Sequence, residues 1–405
     1  MVNATETGVT PSESGRSGGF ETGTQLLGRT GIHSVENLRE GDEVYTMEPH
    51  SRATKLKRVT SVERGNPAVA VSIDAQRLEL LVAPDQYIPF VTEAVDQIRF
   101  QRADRLDERT RYRFISEWKP LTGTRVDVVD LTTLTGQFQA VARYDDVHGH
   151  TFRAALPTGC EPTRRHEQVG YEFDPETFEA YRDAIESEAT TVGIRAGPKH
   201  RPRPYRFDGG AFIELLGWIV TEGSIYTGSD RDTSTVQIAQ DTPRYRKQIQ
   251  KLLEQLEIEY YEVKGGFRFG SKLYGDIFAQ LCGDDSRSKR LPPFVWEASL
   301  KQKRRLLETL LAGDGDDKRT YYTVSDQLAG QVLRLCVECG ITPAYHRRDD
   351  WRVYCRHVPG GFTEPTHCSW VETSRPFYQV VVEDYPLVLA GQHGTFQWLA
   401  AAAVA

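Results

Sequence analysis

Leu215-Leu216-Gly217-Trp218-Ile219-Val220-Thr221-Glu222-Gly223 and Leu307-Glu308-Thr309-Leu310-Leu311-Ala312-Gly313-Asp314-Gly315 follow one plan. Each reads as the last turns of an amphipathic helix. Two small residues stand four apart in each, Gly217 with Thr221 and Thr309 with Gly313. Positions i and i+4 share a helix face, so each helix offers a strip that another backbone can approach closely. One acid follows each pair, Glu222 or Asp314, and then a glycine suited to the left-handed turn that ends a helix. Packed face to face, the helices bring both acids to one end, beside two helix C-termini. Such a concentration of negative charge is unfavourable until a divalent cation joins it. Hard oxygen donors suit Mg²⁺, and the outline is that of metal-dependent phosphodiester hydrolysis. The plain alternative is two exposed acids at the ends of two unrelated helices.

Around these stretches the composition is ordinary. The chain has 405 residues, 39% hydrophobic and 26% charged, with a formal net charge of −7. That length allows two or three domains. No apolar run could span a bilayer, and the first 19 residues lack an apolar signal core, so a cytoplasmic monomer with no membrane partner is expected. Six cysteines in so long a chain do not form a disulfide scaffold. Cys336, Cys339, Cys355, His357, His367 and Cys368 include the residue types of a zinc site. The first pair, however, sits in an apolar helical run, which favours buried core thiols. The acidic balance argues against a uniformly basic coat but not against a local basic face. Candidates are residues 195–206 (RAGPKHRPRPYR), 301–305 (KQKRR) and 346–357 (HRRDDWRVYCRH). The first reads as a DNA-contacting arm or a stiff spacer, with the spacer preferred.

Residues 1–18 are rich in Ser, Thr and Gly and read as a disordered tail. Short β-prone runs with Gly-Asp turns extend to about residue 95. Strand-like runs continue to 157, either extending that sheet or forming a small insert. A helix is predicted from Phe173 to Glu188, then the basic stretch, so 158–207 reads as helix and linker. Residues 208–283 alternate as α-β-β-α-β-β-α, with a hairpin turning at Gly265-Gly266. A shorter second copy runs from Ser299 to about Arg356, with no final helix evident.

Each nonapeptide resembles the LAGLIDADG motif of homing endonucleases, and two copies 92 residues apart (314 − 222) are far more specific than one. The resemblance implies an α+β fold: a pseudo-symmetric, duplicated αββαββα saddle over 208–375. It also implies Mg²⁺-dependent cutting of double-stranded DNA, with Glu222 and Asp314 as catalytic metal ligands. Lys289, in Lys289-Arg290-Leu291-Pro292, matches the Lys-x-x-Pro block before the second motif, which implies contact with the scissile phosphate or with developing charge. Strand periodicity offers Gln237, Arg268, Tyr322, Arg347, Arg352 and Arg356 as residues facing the bases.

The flanks resemble a Hint domain, the self-splicing module of inteins. Gly31-Ile32-His33-Ser34-Val35-Glu36-Asn37-Leu38-Arg39-Glu40-Gly41-Asp42-Glu43-Val44 carries the likeness, together with two C-terminal strands near 377–384 and 387–390. An all-β Hint module (19–157 and 376–405) thus surrounds the endonuclease region. By the same resemblance its chemistry is missing. Gly19 stands at the nucleophile, Ala83 and Gln86 stand at the assisting Thr and His, and Ala401 stands near the terminal Asn. No asparagine follows Asn66. A splicing-inactive Hint module is therefore expected. The alternatives are a non-catalytic DNA-binding remnant and an atypical self-splicing intein.

Overall fold

The computed structural model describes residues 18–92, 96–145, 148–166, 170–227, 233–357 and 361–401. The expected disordered tail lies, apart from Gly18, outside the described residues. The described fold is α+β with sheets predominating. Contacts gather into two units, 123–315 in one and 1–122 with 316–405 in the other. These divisions do not coincide with the boundaries at 157, 207 and 375 suggested by the sequence.

Unit 123–315 contains helices α1 (Gly149–Ala155), α2 (Pro175–Glu188), α3 (Gly209–Glu222), α4 (Pro243–Gln255), α5 (Lys272–Cys282) and α6 (Leu300–Asp314). Local chemistry starts them cleanly. Asp174, Asp208, Ser271 and Ser299 each accept a backbone N–H of the first turn, and Ser299 forms a reciprocal box with Gln302. Helix α3 is apolar nearly all round and, apart from Glu214, buried from Ala211 to Val220, as befits a helix at the centre of a unit. Beside it runs an antiparallel sheet in the order Gly223–Thr227, Ser234–Ala239, Gly266–Gly270, Tyr261–Val263. Val236, Ile238, Phe267 and Phe269 are buried on one face of that sheet. Thus α3, two strands, α4, two strands and α5 follow the rhythm expected for the first copy.

A second four-stranded sheet joins Arg164–His166, Gly170–Phe173, Gln139–Arg143 and Thr191–Arg195. The strand-like run near 140 is therefore part of a small insert, whereas Ile98–Arg102 and Tyr112–Arg113 pair in a sheet of the other unit. The stretch 195–206, expected as a stiff spacer or a DNA-contacting arm, is held against its own unit. Arg195 is buried and paired with Glu172, and its guanidinium also donates to Pro198 O and His200 O at 3.0 and 3.3 Å. Arg203 pairs with Glu259 and Arg206 with Glu186, so the stretch is bound down along its length.

The other unit is built on an eleven-stranded sheet in which both parts of the chain interleave. Phe20–Glu21 and Thr54–Gly65 flank Phe377–Val382, while Gln25–Gly28 pairs with Leu387–Gly391. Its buried core joins Leu26, Val44, Val59, Ile73 and Leu80 to Val380, Val388 and Leu399. The same unit holds a three-stranded sheet, Thr320–Thr323, Trp351–Tyr354 and Tyr345–Arg347, with helix α7 (Asp326–Glu338). Among the described residues, the region expected as a second copy has three strands where 223–270 has four. Among the described residues no helix like α5 follows it. Helix α7 packs so near the N-terminal strands that a Cβ on Gly330 would lie 3.1 Å from Gly31 Cα. Tyr45, Arg334 and Glu338 form a buried hydrogen-bonded cluster at the same contact.

Candidate functional site

Helices α3 and α6 meet along the strip of small residues. A Cβ built on Gly217 would lie 2.8 Å from Thr309 Cγ2, and one on Gly313 would lie 2.2 Å from Thr221 Oγ1. Each glycine thus faces the threonine of the opposite helix, and no larger residue fits at either crossing. Thr221 and Thr309 turn their hydroxyls to their own helices, donating to Gly217 O and Arg305 O at 3.0 Å. Polar need is met within each helix, and the contact stays close-packed. Arg305 grips Glu214 through two 2.9 Å bonds farther along.

The glycines after the acids behave differently from the sequence expectation. Gly223 (φ −85°, ψ 137°) and Gly315 (φ −106°, ψ 168°) are extended rather than left-handed. A side chain is excluded there by crowding: a Cβ would sit 2.3 Å from Ile219 O and 2.4 Å from Leu311 O. The chain leaves α3 straight into a strand, so the carbonyl four residues back, that of Ile219, lies against the glycine.

At this end of the seam Glu222 and Asp314 are close enough to repel each other. Burial and the neighbouring Glu222 charge push the Asp314 carboxyl up to about 7, while Lys289 pulls the other way. Burial also raises Glu222, which a 3.1 Å hydrogen bond from Gln240 Nε2 partly relieves and Asp241 aggravates. Lys289 is 9% exposed and donates to Ile219 O at 2.7 Å and Gly223 O at 2.9 Å. Its ammonium therefore holds the backbone that brackets Glu222. Burial lowers its pKa, and Asp314 is among the charges that counter this.

These donors fit Mg²⁺. They are two hard carboxylates whose mutual repulsion a cation would relieve. Among the described residues no group of three or more His, Cys, Asp and Glu is placed to hold a metal. Cys336, Cys339 and Cys355 are buried, and a hydrogen bond with Cys355, together with burial, pushes the Cys336 thiol well up.

The sheet register places the expected base-facing residues. Ser224, Gln237, Arg268 and Tyr261 stand side by side across four strands, opposite in facing to the buried Val236 and Phe267. Arg268 Nε donates to Gln237 Oε1 at 2.6 Å. Tyr226 and Tyr261, more than half exposed on this sheet, were missed from sequence. The signal was available, since strand alternation puts both on the polar side. In the other unit Tyr322, Arg352 and His346 form the corresponding row, with Arg352 over the Tyr322 ring and Arg356 exposed beside Tyr354. Arg347 is corrected. It pairs with Trp351, stacks on that ring at 4.6 Å and meets Asp326, so it lies on the α7 side of its sheet. A period of two makes His346 the residue on the open face.

The four expected splicing positions also converge. Ala83 N–H donates to Gly19 O at 3.0 Å, and Gly19 N–H donates to Gln86 Oε1 at 2.9 Å. The other end of the Gln86 amide donates to Ala400 O at 2.7 Å, and Ala401 N–H donates to Pro386 O. Gln86 is 2% exposed and joins the two parts of the chain. Gly19 has room for a side chain, its nearest neighbours lying 3.5 Å from a built Cβ. Packing therefore does not explain the lost nucleophile. No thiol, hydroxyl, imidazole or carboxamide of Asn stands at these positions.

No family model matches the chain. It is 27% identical over 192 residues to a DNA polymerase of Thermococcus hydrothermalis, covering 44% of this chain and 11% of that protein. The chain thus spans about a tenth of the length of this curated relative. Solved structures like it include a bacterial intein-like domain from Clostridium thermocellum, 21% identical, with a TM-score of 0.21 over 24% of this chain and 66% of that one. A splice-inactive variant of the AceL NrdHF class 3 split intein is 11% identical, with a TM-score of 0.21 over 32% and 67%. The N-terminal LAGLIDADG domain of DUF199/WhiA is also 11% identical, with a TM-score of 0.24 over 38% and 74%. Likeness at this level carries no argument about function. No helix among the described residues is long and apolar enough to cross a membrane.

Proposed function

We propose that the chain is an intein-like, LAGLIDADG-type endonuclease that cuts double-stranded DNA with Mg²⁺, carried by a Hint-like unit that no longer splices. The observation that carries this reading is the α3–α6 seam, which delivers two half-buried, mutually repelling carboxylates to one end of two helices. A carboxylate pair held against its own repulsion is an arrangement that stability alone would discard. Mg²⁺ would supply charge for the phosphoryl oxygen and a more acidic bound water. Glu222 and Asp314 would hold it, Gln240 would orient Glu222, and Lys289 would fix the terminal turn of α3. Rows such as Ser224-Gln237-Arg268-Tyr261 would lie along the groove of the duplex, with arginines and lysines on phosphates. The pseudo-symmetric saddle belongs to this proposal too, with its second half shortened to three strands.

The test is direct. The full chain is incubated with Mg²⁺ and a plasmid library carrying randomised inserts, and broken ends are mapped. Recurrent cleavage at one long site, lost in Glu222→Gln and Asp314→Asn, is the expected result. Binding without any break would leave a DNA-binding remnant and end the nuclease reading. For the Hint-like unit, mass spectrometry of the chain fused between two peptides should find the fusion intact. A released peptide would mean self-processing by another route.

A further inference from the structure

Three of the six cysteines, Cys336, Cys339 and Cys355, gather in the unit that holds α7, and all three are buried thiols. An ordinary core cysteine packs as a small apolar group among hydrocarbon neighbours. This cluster is different. Cys336 and Cys355 are both 0% exposed, and their thiols hydrogen-bond to each other. The Cys355 thiol also donates to Val353 O at 3.7 Å. The two sulfurs belong to separate elements. Cys336 lies on α7, and Cys355 follows the strand Trp351–Tyr354 in step with the buried Trp351 and Val353. Backbone bonds fix both. Cys336 O accepts the Cys339 and Ile341 N–H groups at 3.0 and 2.9 Å. Cys355 N–H donates to Arg319 O at 2.8 Å, and Arg319 Nε returns a 2.9 Å bond to Cys355 O. Arg319 takes up the left-handed region at φ +60° in doing so, a conformation that costs a residue with a side chain. The other thiols of this unit are placed differently. Cys339 stands at the end of the same helix as Cys336, so a bond between those two would tie α7 only to itself. Cys368 hydrogen-bonds locally, with Thr363 and to Glu364 O.

The place is one where a cross-link matters. The hairpin has strands of three and four residues, in a three-stranded sheet that packs on α7. So small a sheet owes its stability to the helix behind it. We infer that Cys336 and Cys355 form a reversible disulfide, made by exchange with a small disulfide such as oxidised glutathione, which locks α7 to the hairpin of Tyr345–Arg347 and Trp351–Tyr354. One cysteine, as thiolate, attacks the glutathione S–S bond and expels one glutathione thiolate, leaving a mixed disulfide. The thiolate of the second cysteine then displaces the other glutathione. One S–S bond breaks for the one that forms, and the two protons lost by the cysteines pass to the two glutathiones. The Cys355 hydrogen bond and burial keep the Cys336 thiol protonated, so the closed fold reacts slowly. Exchange therefore runs while the end of α7 is open or while the chain folds. Once the fold closes, the same burial shields the new bond from reduction. The bond spans 19 residues (355 − 336), a loop long enough for its closure to stabilise the unit appreciably. This inference stands apart from the nuclease reading.

The experiment equilibrates the full chain with oxidised glutathione at mildly alkaline pH, both folded and during refolding from urea. Remaining thiols are alkylated, and linked peptides are mapped by mass spectrometry. The expected result is a Cys336–Cys355 link as the main product, removed by dithiothreitol. The thermal midpoint of the linked chain should lie roughly 5 °C or more above that of the reduced chain. Cys355→Ser should lose both the link and the shift, whereas Cys368→Ser should keep both. The map of the unaltered chain decides the matter even if Cys355→Ser fails to fold. A Cys336–Cys339 link, glutathione adducts without an internal bond, or free thiols in both arms overturns the inference. A Cys336–Cys355 link that leaves the midpoint unchanged or lowers it overturns it as well, because such a bond locks nothing.

Discussion

The half-buried acid pair at the α3–α6 seam and the buried centre around Gln86 are both convergence points, and they have been settled in opposite ways. At the seam, repulsion is retained: burial and Glu222 hold the Asp314 carboxyl up to about 7. Around Gln86 the polar demand is met, with one side-chain amide receiving the Gly19 N–H and donating to Ala400 O. Electrostatic cost tends to persist where a site still works and to relax where it does not. By that standard the proposed function takes the seam as the working region and the Gln86 centre as a structural clasp.

The comparison can be broken most forcefully at the seam itself. Gly313→Val puts a branched side chain where even a Cβ lies 2.2 Å from Thr221 Oγ1. A loss of roughly 3 kcal/mol or more is expected from such overpacking, read from the denaturation midpoint of the full chain. A cost below about 0.5 kcal/mol would mean that the helices do not pack as described. At the clasp, Gln86→Ala strips two buried hydrogen bonds and leaves the Gly19 N–H without its acceptor. About 2–3 kcal/mol should be lost, with no change in DNA cleavage. A fall in cleavage without a fall in stability would show that the clasp is not merely structural.

A smaller effect comes from pH. The folded Asp314 carboxyl, at about 7, binds its proton more tightly than the unfolded one at 3.8. Between those values the folded state holds more protons, so this group's contribution falls as pH rises and is fully unfavourable above about 7. After allowance for solvent screening, ~1–2 kcal/mol should separate the ends of that window. Asp314→Asn should remove most of that slope in metal-free urea titrations. An unchanged slope would place the charge elsewhere.

Much of this was legible in the sequence because it is local. The helix-strand rhythm of 209–282 follows from apolar spacing and from caps such as Asp208 and Ser271. The seam was legible because small residues four apart can serve only one face. What escaped reading depends on partners distant in the chain. Arg347 was misassigned because its strand is short and a one-residue slip reverses every facing. Gly223 and Gly315 were read as left-handed stops, whereas crowding by Ile219 O and Leu311 O excludes their side chains. Lys289 was read as meeting the scissile phosphate or developing charge; its ammonium donates to two backbone carbonyls, which no spacing rule foretells. The division at residues 122 and 315 escaped notice because α7 and its strands belong to the unit that holds the eleven-stranded sheet.

The most direct measurement is the melting temperature of the full chain at pH 8, with and without Mg²⁺. A cation that binds only the folded acid pair must stabilise it by mass action, so millimolar Mg²⁺ should raise the midpoint by several degrees. Asp314→Asn should melt higher than the unaltered chain without metal and should ignore Mg²⁺. If Mg²⁺ leaves the unaltered chain where it was, or if Asp314→Asn melts lower, the carboxylates are not a cation site held at a cost.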